Sequence, residues 1–265
     1  MAQQPMYQQI ADDLRKQIDD GVIAPGSQLP TEIDLREHYG ASRNTIRDAI
    51  KRLISQGLIE TRPGQGTFVT TRIDPFVTVL TADPKTGLGG DTATYLSAVS
   101  EVHRVPLVTT PKVEVLAAPA QVARRLRIAE TTQVVSRHRE RYIDGIPWSL
   151  ETSYYPMKFI TGGAPKLLMA EDIAEGTVRY LADTLGLQQI GYRDWITARV
   201  PELSEQIFFR IAHDATIIEI FRSAFDQRGK PMRLTVTVYP ADRNQFIVDV
   251  GDELPDPRYD EEPEE

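Results

Sequence analysis

The stretch Ser42 to Leu53, SRNTIRDAIKRL, constrains this chain more than any other. At helical period it carries two faces. Ile46, Ala49, Ile50, Leu53 and Ile54 recur as one apolar stripe, and Arg43, Arg47 and Lys51 recur every fourth residue as a basic stripe. Ser42 is placed to cap the helix, because its hydroxyl accepts from a first-turn amide, and Asp48 is spaced to pair with Arg52. Arginines in the first turns oppose the helix dipole. That local cost points to a use outside the helix: an N-terminal end entering the DNA major groove would carry Arg43 and Arg47 to guanine edges and phosphates. The other reading of the helix alone is a surface helix with solvated charges.

The flanking residues favour the first reading. Upstream, TEIDLREHYG reads as a helix opened by Thr31 with Asp34 in a capping-box position and closed at Gly40, so that only Ala41 separates it from Ser42. That is the short turn of a helix-turn-helix. Downstream, Leu58 to Arg62, the turn Pro63-Gly64-Gln65-Gly66, and Thr67 to Thr70 read as a small hairpin, a wing. Its glycines allow backbone amides to approach a phosphate closely. Tyr7 to Gly21 reads as a first helix with Ile10, Leu14 and Ile18 inward.

Taken together, MYQQIADDLRKQI, GVIAPGSQLPTE, SRNTIRDAIKRL, QGLI and RPGQGTFV resemble the winged helix-turn-helix of GntR-family transcription regulators, over residues 6 to 70. The resemblance implies binding of a double-stranded DNA operator through Arg36, Ser42, Arg43, Asn44, Thr45, Arg47, Lys51, Arg62, Gly64 and Gly66. The chain departs from the family pattern at Ile33, where arginine is frequent, which puts that one contact in doubt.

A formal net charge of −8 argues against DNA binding only until its distribution is considered. Residues 1–72 hold nine Lys/Arg and nine Asp/Glu, whereas residues 252–265 hold eight acids and one arginine. With no cysteine there is no disulfide, thiolate ligand or cysteine nucleophile. His38, His103, His138 and His213 show neither metal-ligand nor triad spacing, so no metal and no cofactor are expected. The absence of a signal-peptide pattern and of a membrane-length apolar run gives the expectation of a cytoplasmic protein without a membrane partner.

Turn signals at Asp74-Pro75, Asp83-Pro84 and Gly87 to Gly90 set the expected organisation. It is a DNA-binding domain at 1–72, a linker at 73–93, an effector domain at 94–251 and a disordered acidic tail at 252–265. Phe76, Val77, Val79 and Leu80 imply that part of the linker docks. From residue 95 the pattern is α+β. Val134 to Ile143 and Trp148 to Tyr155 read as strands across Asp144-Gly145, and Ile217 to Asp226 and Met232 to Tyr239 as a second hairpin. Thr177 to Leu185 reads as a helix, as does Ser204 to Ile211 with a serine cap. Trp195 to Val200 reads as a strand. Trp148, Trp195, Phe208 and Phe209 read as core.

VVSRHRERYIDGIPWSLETSYYP and FRSAFDQRGKPMRLTVTVYPADRNQF resemble the UTRA sensing domain of the HutC branch of the same family. The resemblance implies a chorismate-lyase-like α+β fold that binds a small effector, with arginines of the first hairpin on its phosphate or carboxylate and a glutamate on its hydroxyls. Arg137 and Arg139 share a strand face by alternation, with Glu151 across the hairpin. Tyr154, Arg222, Tyr239 and Arg243 complete the candidate set. The competing reading of the arginines is Arg–Glu pairing across strands. The whole predicts an α+β regulator, a homodimeric repressor on a palindromic operator, released by a small anionic effector and without catalysis. The alternative is a chorismate-lyase-like enzyme fused to a DNA-binding module.

Overall fold

In the computed structural model, residues 4–62, 64–70, 73–80 and 92–248 are described. The acidic tail and most of the expected linker lie outside them. The chain divides into two compact units between Asp74 and Pro75.

The first unit is built from α1 (Met6–Asp19), α2 (Glu32–Tyr39), α3 (Arg43–Ser55) and a hairpin of β1 (Ile59–Arg62) and β2 (Gly66–Val69). Ile10 and Leu14 of α1, Leu35 of α2, and Ile46, Ala49 and Leu53 of α3 form one core, closed by Ile59 and Val69. Ile54, the last residue of the expected apolar stripe, is exposed. Thr31 and Asp34 form a reciprocal capping box. Gly40 ends α2 at φ 59°, a conformation that glycine adopts without a Cβ penalty. The Ser42 hydroxyl then accepts from Thr45 N at 3.2 Å, a cap whose loss costs about 1 kcal/mol. The connection before α2 is more ordered than its Pro/Gly content suggests. Leu29 N donates to Thr67 O and Val69 N to Ser27 O, so residues 27–29 lie along β2.

The second unit begins with β3 (Phe76–Val79), which pairs in parallel with β11 (Asn244–Ile247). The apolar residues at 76–80 therefore dock on the second unit by strand addition. Between them the chain runs through α4 (Thr92–Glu101), β4 (Pro106–Val108), β5 (Lys112–Ala117), α5 (Ala120–Leu126), β6 (Gln133–Ile143), β7 (Ile146–Pro156), α6 (Lys158–Thr161), a 3-10 turn at Pro165–Leu168, α7 (Thr177–Leu185), β8 (Gln189–Arg199), α8 (Leu203–Phe209), β9 (Ile217–Asp226) and β10 (Pro231–Pro240). Among the described residues the main sheet has seven antiparallel strands in the order β4-β6-β7-β10-β9-β8, with β5 also on β6.

Asp144 and Gly145, at φ 53° and 75°, turn the β6–β7 hairpin. Positive φ at both central residues matches the twist of the flanking strands. Val122, Ala123 and Leu126 of α5 pack on Val134, Phe221 and Leu234, on one sheet face. Tyr155 and Ala224, of opposite alternation, pack with Phe159, Leu167 and Leu181 on the other. The α8 cap differs from expectation: Glu202 and Glu205 form the capping box, two residues ahead of Ser204. Trp148 and Phe209 are core as expected, but Trp195 is 37% exposed beneath the Arg125 guanidinium.

Candidate DNA-binding face and effector cavity

The two faces of α3 separate as the spacing predicts. Ile46, Ala49 and Leu53 are fully buried, and Arg43, Arg47 and Lys51 are exposed. Arg36, Ser42 and Asn44 are exposed as well, and Thr45 is half-buried at the cap. The free helix end is partly neutralised from within. The Glu32 carboxylate of α2 lies 3.3 Å from Arg43 Nε and 3.8 Å from Arg47 Nε. Lys51, rather than Arg52, pairs with Asp48, at 3.5 Å. On the wing, Arg62 is exposed, paired with Glu60 at 2.7 Å and stacked 4.3 Å from the Phe68 ring. Gly64 and Gly66 adopt φ 72° and 122°. Gly66 at φ 122° holds a conformation that L side chains rarely adopt, and a Cβ there would fall 2.4 Å from Gln28 Nε2, so the end of that side chain would have to shift.

In the second unit, one face of β7, β9 and β10 roofs a cavity of about 380 Å³. That lies at the low end of the roughly 300–1,000 Å³ of small-molecule sites. Glu151, Arg222 and Tyr239 line it. The other candidates lie elsewhere. Arg137 is 4% exposed, and its guanidinium donates to the carbonyls of Leu167, Met169 and Glu171 at 2.9, 2.7 and 2.6 Å. Burial lowers its pKa. Arg139 pairs with Asp172. The segment from 165 to 172 therefore covers both, and what balances the two charges is main-chain oxygen and a carboxylate of the chain itself. Tyr154 belongs to the opposite face, against the α5 cluster. Arg243, 4% exposed, donates to Pro147 O and to the Asp242 carboxylate.

The arginine of β6 that reaches the cavity is Arg141, which shares the strand face of Arg137 and Arg139 one repeat further on. Its Nη2 lies 2.6 Å from Glu151 Oε2, with both side chains buried. Neither its Nε nor its Nη2 has a hydrogen-bond partner of good geometry. Across the cavity, Arg222 grips Asp194 through Nε and Nη2 at 2.7 and 2.6 Å and stacks on the Tyr192 ring. Burial works against the Arg222 charge, but the Asp194 fork outweighs it and raises the pKa. Burial also pushes up the Tyr95 and Tyr239 hydroxyls, keeping them protonated donors. Thr235 and Thr237 add hydroxyls, and β3 supplies one wall from Phe76 to Val79. The Tyr192 hydroxyl donates to Leu80 O, just beyond β3.

The family described as "Bacterial regulatory proteins, gntR family" matches residues 6–69, and the "UTRA domain" matches residues 102–245. The chain belongs to the GntR family. Its pairing of a gntR helix-turn-helix with a UTRA domain is the architecture of the HutC branch. The mannosyl-D-glycerate transport/metabolism system repressor MngR of Escherichia coli is 33% identical over 59% of this chain and 61% of its own length. The transcriptional repressor NagR of Bacillus subtilis is 23% identical over 92% of this chain and 93% of its own. A crystal structure of a GntR-family regulator superposes at TM-score 0.61 with 26% identity, covering 94% of this chain and 99% of that one. PhnF from Mycobacterium smegmatis, at 19% identity and TM-score 0.55, covers 92% and 100% and shares the fold. As a member of this family the chain is a DNA-binding transcription regulator with an effector-sensing domain. No helix of the described residues is long and apolar enough to cross a membrane.

Proposed function

We propose that this protein is a transcription repressor that binds a palindromic operator as a homodimer and is released by a small effector in the cavity bounded by Arg141, Glu151, Arg222 and Tyr239. Arg43 and Arg47 read base edges, and Lys51, Arg62 and Arg36 hold phosphates. One helix offers few base contacts, and a two-fold pair on two half-sites supplies the rest.

The observation that carries the effector reading is the buried Arg141–Glu151 pair on the cavity wall, with Arg141 Nε lacking an acceptor. An anionic group of the ligand would take that donor, and hydroxyls would bridge to Glu151 and the threonines. The E. coli relative is named for a mannosyl-D-glycerate system; a hydroxyl-rich carboxylate of that kind is the first effector to try. The regulator names of the relatives favour this reading over a fused catalytic domain.

The experiment is footprinting to locate the operator, light scattering of the free and DNA-bound protein for stoichiometry, and fluorescence anisotropy of the complex titrated with mannosyl-D-glycerate and a panel of sugar acids and sugar phosphates. Two protomers per operator and release without turnover of the ligand support the reading. A single protomer on an asymmetric site, or consumption of the ligand, overturns it.

A further inference from the structure

Arg141 is buried on the cavity wall, and what covers it is a ring. Its guanidinium carbon lies 4.6 Å from the centroid of the Tyr95 ring, a cation–π distance. Its Nη2 is ion-paired with the Glu151 carboxylate at 2.6 Å, and its Nε has no hydrogen-bond partner. The tyrosine therefore occupies the space over Arg141 without satisfying its donors.

The attachment of that ring is slight. Tyr95 sits on α4, whose one fully buried residue is Val99. Its hydroxyl donates to Tyr142 O at 3.3 Å, a long bond. The contrast with Arg137 on the same strand face is sharp: there three main-chain carbonyls accept from the guanidinium at 2.6–2.9 Å. Arg137 is held by the main chain around it, whereas Arg141 is held by Glu151 on one side and capped on the other by a ring contact that a better partner can replace. A charge-assisted hydrogen bond to a ligand oxygen is such a partner.

We propose that Tyr95 is a gate residue for the effector cavity, its ring holding the place on Arg141 that a ligand acceptor takes when α4 swings away. This rests on the effector reading of the cavity and adds to it the residue that guards the site. Free protein then samples a minor open state, and ligand selects it. α4 and β3 both line the cavity, so displacement of Tyr95 opens the same cavity that the strand starting the second unit helps to wall. Ring chemistry sets the gate: a tryptophan holds the cation more tightly, and a leucine, smaller and without a π face, does not hold it at all.

The test needs no effector. Native full-length protein is treated with phenylglyoxal, which modifies accessible guanidinium groups, and modification is followed residue by residue by peptide mass spectrometry. Arg137 and Arg141 have similar static burial, 4% and 6%. A gate predicts that Arg141 is modified at least about tenfold faster than Arg137, because a local opening precedes global unfolding. Tyr95→Leu should speed Arg141 alone, and Tyr95→Trp should slow it. Equal protection of the two arginines in the wild-type protein overturns the gate, as does an Arg141 rate indifferent to residue 95. Operator release in the anisotropy titration is measured without the reagent, so the gate can fail while the regulator reading stands.

Discussion

Arg141 and Glu151 face each other across β6 and β7 at 2.6 Å, with side chains 8% and 5% exposed. Two charges taken out of water in this way are held by each other, and removing one leaves the other uncompensated. Glu151→Gln should therefore cost about 3 kcal/mol in the stability of the second unit. The double change Arg141→Met/Glu151→Leu should cost less than Glu151→Gln or Arg141→Met alone. Urea unfolding of the three variants measures this, and a double mutant as unstable as the sum of the singles would count against a coupled pair.

Arg137 is held by main-chain carbonyls and does not line the cavity. Arg137→Ala would leave the carbonyls of Leu167, Met169 and Glu171 without their donor. With a charged hydrogen bond worth about 1.5–3 kcal/mol net, the loss is expected to reach about 3 kcal/mol or more. Proteolysis should move to the 165–172 segment. An Arg137→Ala protein of normal stability that no longer responds to effector would return this residue to the ligand.

The contrast between these arginines shows what the sequence could and could not say. Alternation places Arg137, Arg139 and Arg141 on one strand face, and it is right. It cannot tell which part of that face a later segment will cover, and residues 165–172 cover the first two. Arg141 was legible only as a third member of the alternation. The faces of α3 were legible except at its C-terminal end, where Ile54 is exposed, because helical period and burial are local matters. The β3–β11 pair was not, since it joins short runs from opposite ends of the second unit by parallel pairing, which no turn signals. The cap of α8 was misread because Ser204 is the better local candidate, while Glu202 and Glu205 win through reciprocal bonds reinforced by Arg199 on Glu205.

Glu32 gives a prediction for the DNA-binding face. It holds Arg43 and Arg47 through exposed pairs, each worth up to about 1 kcal/mol. DNA must break them. Glu32→Gln should tighten operator and non-specific duplex alike by about two- to fivefold, a change of up to about 1 kcal/mol. Arg47→Ala should instead cost about 1–3 kcal/mol on the operator and relax its sequence preference. Anisotropy at two salt concentrations separates these outcomes. A Glu32→Gln protein that binds more weakly would mean the carboxylate orients the arginines for DNA.

His138 links stability to pH. Burial lowers its pKa from the ordinary 6.5, and its Nδ1 shares a 2.9 Å hydrogen bond with Thr152 Oγ1. Below pH 6.5 the unfolded chain binds a proton that the folded chain resists. Stability contributed by neutral His138 is therefore present above that pH and declines as pH falls toward the folded pKa. Glu140 and Glu114 favour its charge and Lys112 opposes it, and burial outweighs them. His138→Gln should flatten the loss of stability as pH falls below 6.5. Parallel wild-type and variant curves over that range would show that His138 does not set the slope.

The wing offers the test with the clearest built-in control. Gly66 combines φ 122° with a Cβ position 2.4 Å from Gln28 Nε2, whereas Gly64, at φ 72°, has nothing within 4 Å. Gln28 Nε2 in turn donates to Gln65 O at 2.9 Å, so it braces the turn that any side chain at 66 would push aside. Gly64→Ala bears only the left-handed conformation and should weaken operator binding modestly. Gly66→Ala bears a greater strain, since φ 122° lies outside the left-handed well, and must also displace the end of the Gln28 side chain, so it should weaken binding by roughly tenfold, equivalent to about 1.4 kcal/mol. Adding Gln28→Ala removes the clash but not the strain, so the double mutant should recover part of the loss. Operator anisotropy of the four proteins, with circular dichroism to verify the fold, reads each contribution. Gly66→Ala binding like the wild type would reduce the turn to a connector, and full recovery in the double mutant would assign the whole effect to Gln28 rather than to the backbone.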